Sequence, residues 1–288
     1  MQYLNFIIDF LGEFMRKKTT KLFKEKYIYV SEEEINKNLT TKFIGHNIKY
    51  FKTISSTNDK GKEFGNDINI IDGTIVISEE QDGGKGRLGR KWSSPKGGIW
   101  MSIILRPNIT PIHAHKITQI ASVALIKTFK HFNIDGKIKW PNDVYVNEKK
   151  VSGILTEMKC DMDKISYIIV GMGINVNLDR EDFPSELKDT ATSLKIETNK
   201  IYNRSMLIST LLNNFEKIYL DFIENNNYSE VIKISTENSF ILDKDAYLVT
   251  SNKKEKVRCI GLDHNGELIV LDHNGNRKNI LSGEITFK

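Results

Sequence analysis

Cysteine is nearly missing from this chain: Cys160 and Cys259 are the only two in 288 residues, far apart and without metal-ligand spacing. That excludes a disulfide framework and makes a reducing cytoplasm the expected compartment. Charge of one sign is also scarce. A net charge of +5 suits an anionic small ligand or an acidic partner protein, and is too small to argue for nucleic-acid binding. No transmembrane segment is expected. Leu4, Ile7, Ile8, Leu11, Phe14 and Met15 have helical spacing, but the apolar stretch is too short to cross a bilayer. The cations after it, from Arg16 to Lys26, lie on the wrong side for a signal peptide. The stretch reads as a basic amphipathic helix, either docking on a membrane or partner or, the preferred reading, packed on its own domain or on a sister subunit. A Gly-x-Ser-x-Gly elbow and a Cys/His pair are both absent, so no enzyme nucleophile is indicated. His113, His115 and His131 have no acidic partner at ligand spacing and read as surface histidines. With 39% hydrophobic and 27% charged residues, the composition is that of a globular protein holding one sizeable core and a small satellite domain.

What the chain does have is Gly83-Gly84-Lys85-Gly86-Arg87-Leu88-Gly89-Arg90-Lys91-Trp92. Glycines let a backbone fold closely round a ligand and present N–H groups, and the four cations add full charges. A phosphate is the guest such a run suits. Gly84-x-Gly86-x-x-Gly89 fits the dinucleotide fingerprint, but loop residues from Trp92 to Gly98 follow where that motif needs a helix. The P-loop reading fails as well, because Arg90-Lys91 stands where Lys-Ser/Thr is required. Standing alone, the run would be weak evidence, equally suited to a solvated basic hairpin tip.

Three further motifs follow it: Lys139-Trp140-Pro141-Asn142-Asp143, Lys150-Val-Ser-Gly-Ile-Leu155 and Gly171-Met-Gly-Ile-Asn175, with Ser56-Thr57-Asn58 upstream. In this order, from about residue 45 to the C-terminus, the set resembles the biotin–protein ligases (biotin–acetyl-CoA-carboxylase ligases). The resemblance implies an α+β fold, a mixed-sheet, class II synthetase-like catalytic domain followed by a small SH3-like β-barrel. It implies ATP, Mg²⁺ and biotin as reactants, and a biotin carrier domain of a carboxylase or decarboxylase as partner. Biotin's carboxylate would attack the α-phosphate of ATP, and an acceptor lysine would then displace AMP.

Residue by residue, the resemblance assigns biotin to Ser56, Thr57, Asn58, Gln81, Lys85, Gly86, Arg87, Lys150 and Gly153. The adenylate falls to Lys85, Arg87, Arg90, Trp92, Asn142, Lys150 and Asn175. Arg87, Lys150, Lys139 and Asp143 are the expected catalytic groups, with Asp143 as the metal ligand. Two positions depart from the commoner loop, where arginine stands at Lys85 and often at Leu88. Lysine keeps the charge but loses bidentate geometry. A lipoate–protein ligase is the rival enzyme, disfavoured by Lys139-Trp-Pro-Asn-Asp143. A DNA-binding repressor is disfavoured too, because only about 40 residues precede the catalytic stretch, near the length below which a domain rarely folds alone. A homodimer through sheet edges is a further expectation.

The coarse element reading is as follows. A short helix starts after Ser31, a strand covers Ile48–Thr53, and a helix covers Asn58–Phe64. Strands Ile75–Glu79 and Trp100–Leu105 pair, and a helix runs from His113 to Phe132. Pro141 ends a strand, and a hairpin turns at Asn147-Glu148-Lys149. A strand over Ile165–Val170 and a long helix over Asn203–Glu224 follow. From Asn238 on, short strands are separated by Asp-His-Asn-Gly at 263–266 and 272–275. The expected divisions are a helical extension 1–40, a catalytic domain 41–235 and a barrel 236–288.

Overall fold

Seven runs rich in β-branched and aromatic residues form one mixed sheet in a computed structural model that describes residues 29–250 and 253–287. The helix expected at residues 4–15 lies outside the described residues. The strands are β1 (Ile48–Ile54), β2 (Ile75–Gln81), β3 (Ile99–Leu105), β4 (Lys137–Lys139), β5 (Asp143–Val146), β6 (Lys149–Asp161) and β7 (Lys164–Ile174). Their order is β1-β2-β3-β7-β6-β5-β4. β1 and β2 are parallel, and every other pair is antiparallel. Parallel neighbours need a crossover, and the helix α2 (Thr57–Gly65) supplies it. It follows the short α1 (Glu32–Asn38), which Ser31 caps.

The two faces of the sheet are covered differently. All of β3 is buried, as a strand covered on both faces must be. Against one face lies α3 (Ala114–His131), with Ile117, Ile120, Val123, Ala124, Ile126 and Phe129 all buried. It packs in turn against α5 (Arg204–Asn225). The other face carries α2 over β2, β3 and β7. Between β7 and α5 the polar loop contains α4 (Leu194–Thr198). A further helix, α6 (Ser229–Glu237), was not anticipated from the sequence; it buries Val231 and Ser235.

From residue 245 the chain forms a separate antiparallel sheet of SH3-like kind. Its strands are β8 (Asp245–Val249), β9 (Lys254–Leu262), β10 (Leu268–Asp272), β11 (Arg277–Ile280) and β12 (Glu284–Thr286), in the order β11-β10-β9-β8-β12. The two Asp-His-Asn-Gly segments make the same turn. Asp263 Oδ1 accepts from Asn265 N and Glu267 N, and Asp272 Oδ1 accepts from Asn274 N and Asn276 N, each at 2.9 Å. Trp140 joins the barrel core and donates from Nε1 to Gly266 O at 3.1 Å. Both cysteines are free thiols, Cys160 exposed and Cys259 inside the barrel.

The structure shifts some sequence-based boundaries. Asn147 and Glu148 alone turn the β5–β6 hairpin, with φ of 46° and 65°, and Lys149 already belongs to β6. Positive φ at both central residues is what a two-residue hairpin turn demands. β7 continues through Gly171-Met-Gly173 instead of stopping at Val170. His115 is less free than a surface histidine, since its ring nitrogens lie 2.8 Å from Ile112 O and 3.1 Å from Asn265 O.

One buried ion pair ties distant segments together. Arg204, at the start of α5, meets Glu79 of β2 at 2.8 Å, the two side chains 3% and 1% exposed. Glu79 Oε1 also accepts from Val30 N at 2.7 Å and Tyr50 Oη at 3.1 Å, while Arg204 donates to Gly98 O at 2.8 Å. Removing Glu79 takes the carboxylate away from a buried guanidinium, and the desolvated charge loses its counter-ion. Glu79→Ala is therefore expected to cost about 3–5 kcal/mol of folding free energy, read from urea unfolding midpoints against the parent.

Candidate active site

A cavity of about 320 Å³ is lined by residues of β2, β6 and β7 in the central sheet and of β12 in the barrel. Six cations line it, Lys85, Arg87, Arg90, Lys91, Lys139 and Lys150, against two carboxylates, Asp143 and Glu284. That excess of positive charge suits an anionic guest.

The head end is built by α2 and its neighbours. Ser56 caps α2, its Oγ accepting from Asp59 N at 3.3 Å. Thr57 N donates to Gln81 Oε1 at 2.7 Å, and Gln81 Nε2 donates to Ser94 Oγ at 2.8 Å. Ser102 Oγ sits 2.8 Å from Thr57 Oγ1 and 2.7 Å from Asn58 Oδ1. Asn58 Nδ2 donates to Leu155 O at 3.1 Å and Glu157 Oε2 at 2.8 Å. The buried cluster is thus held by its own hydrogen bonds at a helix N-terminus, where backbone N–H groups favour a polar or anionic partner.

Two glycines on β7 make room for this arrangement. A Cβ on Gly171 would stand 2.0 Å from Asn58 Oδ1, and one on Gly173 would stand 2.5 Å from Trp92 Nε1. The Trp92 ring also covers Gly153 of β6, where a Cβ would meet it at 2.9 Å. Lys150 Nζ lies 5.2 Å from the Trp92 ring. Among the described residues, Trp92 Nε1 is the one buried side-chain nitrogen or oxygen with no hydrogen-bond partner.

The glycine–arginine run forms a two-stranded ribbon. Gln81 pairs with Ser94 and Lys85 with Lys91, and Gly86 N donates to Arg90 O at 2.7 Å. Its tip turns at Leu88 and Gly89, with φ of 57° and 73°. Leu88 lines the cavity from this tip and is 77% exposed. Arg87 Nη1 donates to Asn142 Oδ1 at 2.7 Å and Nη2 to Gly283 O at 3.3 Å. Arg90 makes a two-pronged pair with Glu284 at 2.9 and 2.6 Å. The ribbon therefore bridges both sheets.

The opposite wall comes from β4, β5 and β6. Lys150 Nζ meets Asp143 Oδ1 at 2.8 Å, and the same oxygen accepts from Asn142 Nδ2 at 3.0 Å. Lys139 Nζ lies 3.5 Å from Tyr145 Oη. Burial pushes the Lys139 pKa down, the nearby Asp143 opposes this and Lys150 adds to it. Asn175 is buried and donates to Thr192 O at 2.9 Å. Among the described residues no group of three or more His, Cys, Asp or Glu is placed to hold a metal ion. The carboxylates in the lining are Asp143 and Glu284, and magnesium is usually carried by one or two carboxylates plus nucleotide phosphates and water.

Every residue singled out from sequence lines this one cavity. Several that line it or shape it were missed. Glu284 and Ile285 enter from β12, Tyr145 from β5, and Phe183, Leu187 and Thr190 from the loop after β7. Glu284 and Ile285 lie in Ser282-Gly-Glu-Ile-Thr286, which resembles the family's terminal strand, but nothing local shows that they or the others reach the cavity. The phosphate role expected of Lys85 and Arg90 meets a complication: Lys85 pairs with Asp59 at 2.6 Å and Arg90 with Glu284.

The chain is similar to known proteins in sequence and in structure. A model of the biotin/lipoate A/B protein ligase family matches residues 50–175, the span from the head cluster to Asn175. The bifunctional ligase/repressor BirA of Bacillus spizizenii is 36% identical over 275 residues, 95% of this chain and 83% of that protein. The chain belongs to the biotin/lipoate A/B protein ligase family. The biotin–[acetyl-CoA-carboxylase] ligase of Mycobacterium tuberculosis is 30% identical over 152 residues, 51% of this chain and 54% of that one. Among solved structures, the biotin protein ligase from Aquifex aeolicus in complex with biotin and ATP has a TM-score of 0.72 at 32% identity, covering 84% of this chain and 98% of that chain.

Two measurements follow from the geometry. In Gly173→Ala the new methyl displaces the Trp92 indole, so tryptophan emission is expected to shift to the red. The Arg90 hydrogen bond holds the Glu284 carboxyl below the usual carboxylate range, with burial opposing it. A depressed acid stabilises above its unfolded pKa and loses that contribution as pH falls through the folded one. The stability difference between the parent and Glu284→Gln is expected to be at most ~1 kcal/mol at pH 7, the pair being partly exposed. Paired denaturation curves should show it vanish as pH falls below Glu284's folded value.

Proposed function

We propose that this chain is an ATP-dependent biotin–protein ligase, which makes biotinyl-5′-adenylate and transfers the biotinyl group to a lysine of a biotin carrier domain. The observation that carries the reading is one cavity holding both the buried polar head cluster and the cation-bearing ribbon. Named ligases among the relatives, and a similar structure with biotin and ATP bound, support it.

In the first step biotin's carboxylate attacks the α-phosphate and pyrophosphate leaves. Two anions must approach, and charge gathers on the equatorial oxygens of phosphorus. Arg87, Lys150 and Lys85 are the cations assigned to that charge, with Arg90 turned to pyrophosphate. Asp143, together with the nucleotide phosphates, would hold magnesium, which would neutralise further charge. Ser56, Thr57, Asn58 and Gln81 take the biotin ring, Gly86 and Gly153 its close approaches, and Trp92, Asn142 and Asn175 the adenylate. In the second step the acceptor amine attacks the acyl carbon and AMP leaves. Lys139 or Asp143 is assigned to this acceptor step, Asp143 by holding magnesium or orienting the incoming amine.

The carrier is assigned to a carboxylase or decarboxylase, in line with the acetyl-CoA-carboxylase ligase among the relatives. The proposed divisions are 1–40, 41–235 and 236–288, with a cytoplasmic setting and a homodimer through sheet edges. The chain is read as a ligase without DNA-binding activity, in keeping with its mild charge of +5. Because one relative is a bifunctional ligase/repressor, a gel shift at physiological salt is the discriminating measurement, and a specific band would overturn that part.

Incubating the protein with ATP, biotin and a recombinant carrier should add one biotinyl group by mass spectrometry, with lipoate as the control acid. Arg87→Ala is expected to slow biotin-dependent pyrophosphate release by about 100-fold or more, by analogy with loss of an oxyanion donor. Near-parental release would remove Arg87 from the chemistry.

A further inference from the structure

Lys85 Nζ lies 2.6 Å from Asp59 Oδ2. Asp59 is the third residue of α2, directly after Asn58, and is not itself part of the cavity lining. Its other oxygen meets Lys62 Nζ at 2.9 Å, and Lys62 meets Glu157 Oε1 at 3.1 Å. Glu157 Oε2 accepts from Asn58 Nδ2 at 2.8 Å. An unbroken chain of contacts therefore runs from Asn58 through Glu157, Lys62 and Asp59 to Lys85. Burial disfavours the Asp59 anion, but hydrogen bonds from Lys85 and Lys62 outweigh it and hold the carboxyl below the usual range.

This contact gives a physical reason for lysine at position 85. A compact ammonium on a flexible stem suits a single carboxylate oxygen, whereas a guanidinium is shaped for two. The ribbon's other side-chain ties run to the barrel, through Arg90 to Glu284 and Arg87 to Gly283 O, and to Asn142 between β4 and β5, through Arg87. The Asp59 contact is its ionic tie on the α2 side, so the two ties grip it from both flanks.

We propose that Asp59 is a positioning residue: by holding Lys85 it keeps the ribbon, and with it Arg87, over the cavity and slows escape of the activated acyl group. The retention half rests on the ligase reading; the tie itself does not. Asp59 acts through Lys85 and touches no reacting atom.

The full chain is tested in two arms. Trypsin cleavage after Arg87, Arg90 or Lys91 is compared for the parent, Asp59→Asn, Lys85→Gln and the double variant. Asp59→Asn should be cleaved about two- to five-fold faster at an unchanged melting temperature, as expected for a partly exposed ion pair. The double variant should be cleaved no faster than Lys85→Gln alone, because both changes break one contact. In the second arm, enzyme loaded with biotin and ATP is desalted and the loss of biotinyl-adenylate timed. Asp59→Asn should lose it faster by a similar factor. Parental cleavage rates, or multiplying effects in the double variant, would overturn the tie. Faster cleavage with parental retention would overturn the retention half. A parent that forms no adenylate defeats the ligase reading and the retention half with it, while the trypsin arm still decides the tie.

Discussion

Holding a strongly cationic ribbon over a cavity is the constraint on which this structure turns. Lys85, Arg87, Arg90 and Lys91 fall within seven residues, and like charges at that density repel one another. The fold answers with partners from elsewhere: Asp59 from α2, Glu284 from β12, and the carbonyl-type oxygens of Asn142 and Gly283. The two ion pairs are exposed enough for each to be worth little by itself. Together they set where the ribbon lies, and weak contacts can yield to a ligand phosphate without unfolding anything.

The floor beneath the ribbon is rigid by contrast. Gly153, Gly171 and Gly173 lie on paired strands, and the absence of their side chains is filled by Trp92 and Asn58. The head cluster is buried and hydrogen-bonded throughout, so its polar atoms are preorganised. A firm floor and a loosely tied cover suit a reaction whose intermediate must be kept from water and then offered to a protein lysine.

The barrel is part of this site and not an appendage. β12 contributes Glu284 and Ile285 to the cavity, and Trp140 and Tyr145 tie its core and edge to the central sheet. Tyr145 stacks on Phe240 at 4.7 Å between ring centroids, so the side chain 3.5 Å from Lys139 is held by the barrel's first residues. Changes in the barrel are thereby felt at the wall that carries Lys139 and Asp143.

The sequence alone determined the features whose physics is local. Glycine–cation alternation marked the ribbon, helical spacing marked α3 and α5, and Asn-Gly turns marked the small strands, because neighbouring residues suffice to specify each. The residues that come together were named through the ordered motifs that resemble the biotin–protein ligases, at a helix start, in the ribbon and on the strands. Their partners were decided by the tertiary structure. Asp59 and Lys85, Arg90 and Glu284, and Glu79 and Arg204 are far apart in the chain, and a lone acidic residue carries no local sign of the cation it will meet. Whether a glycine in β7 ends a strand or makes room for an indole is likewise settled by what packs above it, which only the folded chain supplies.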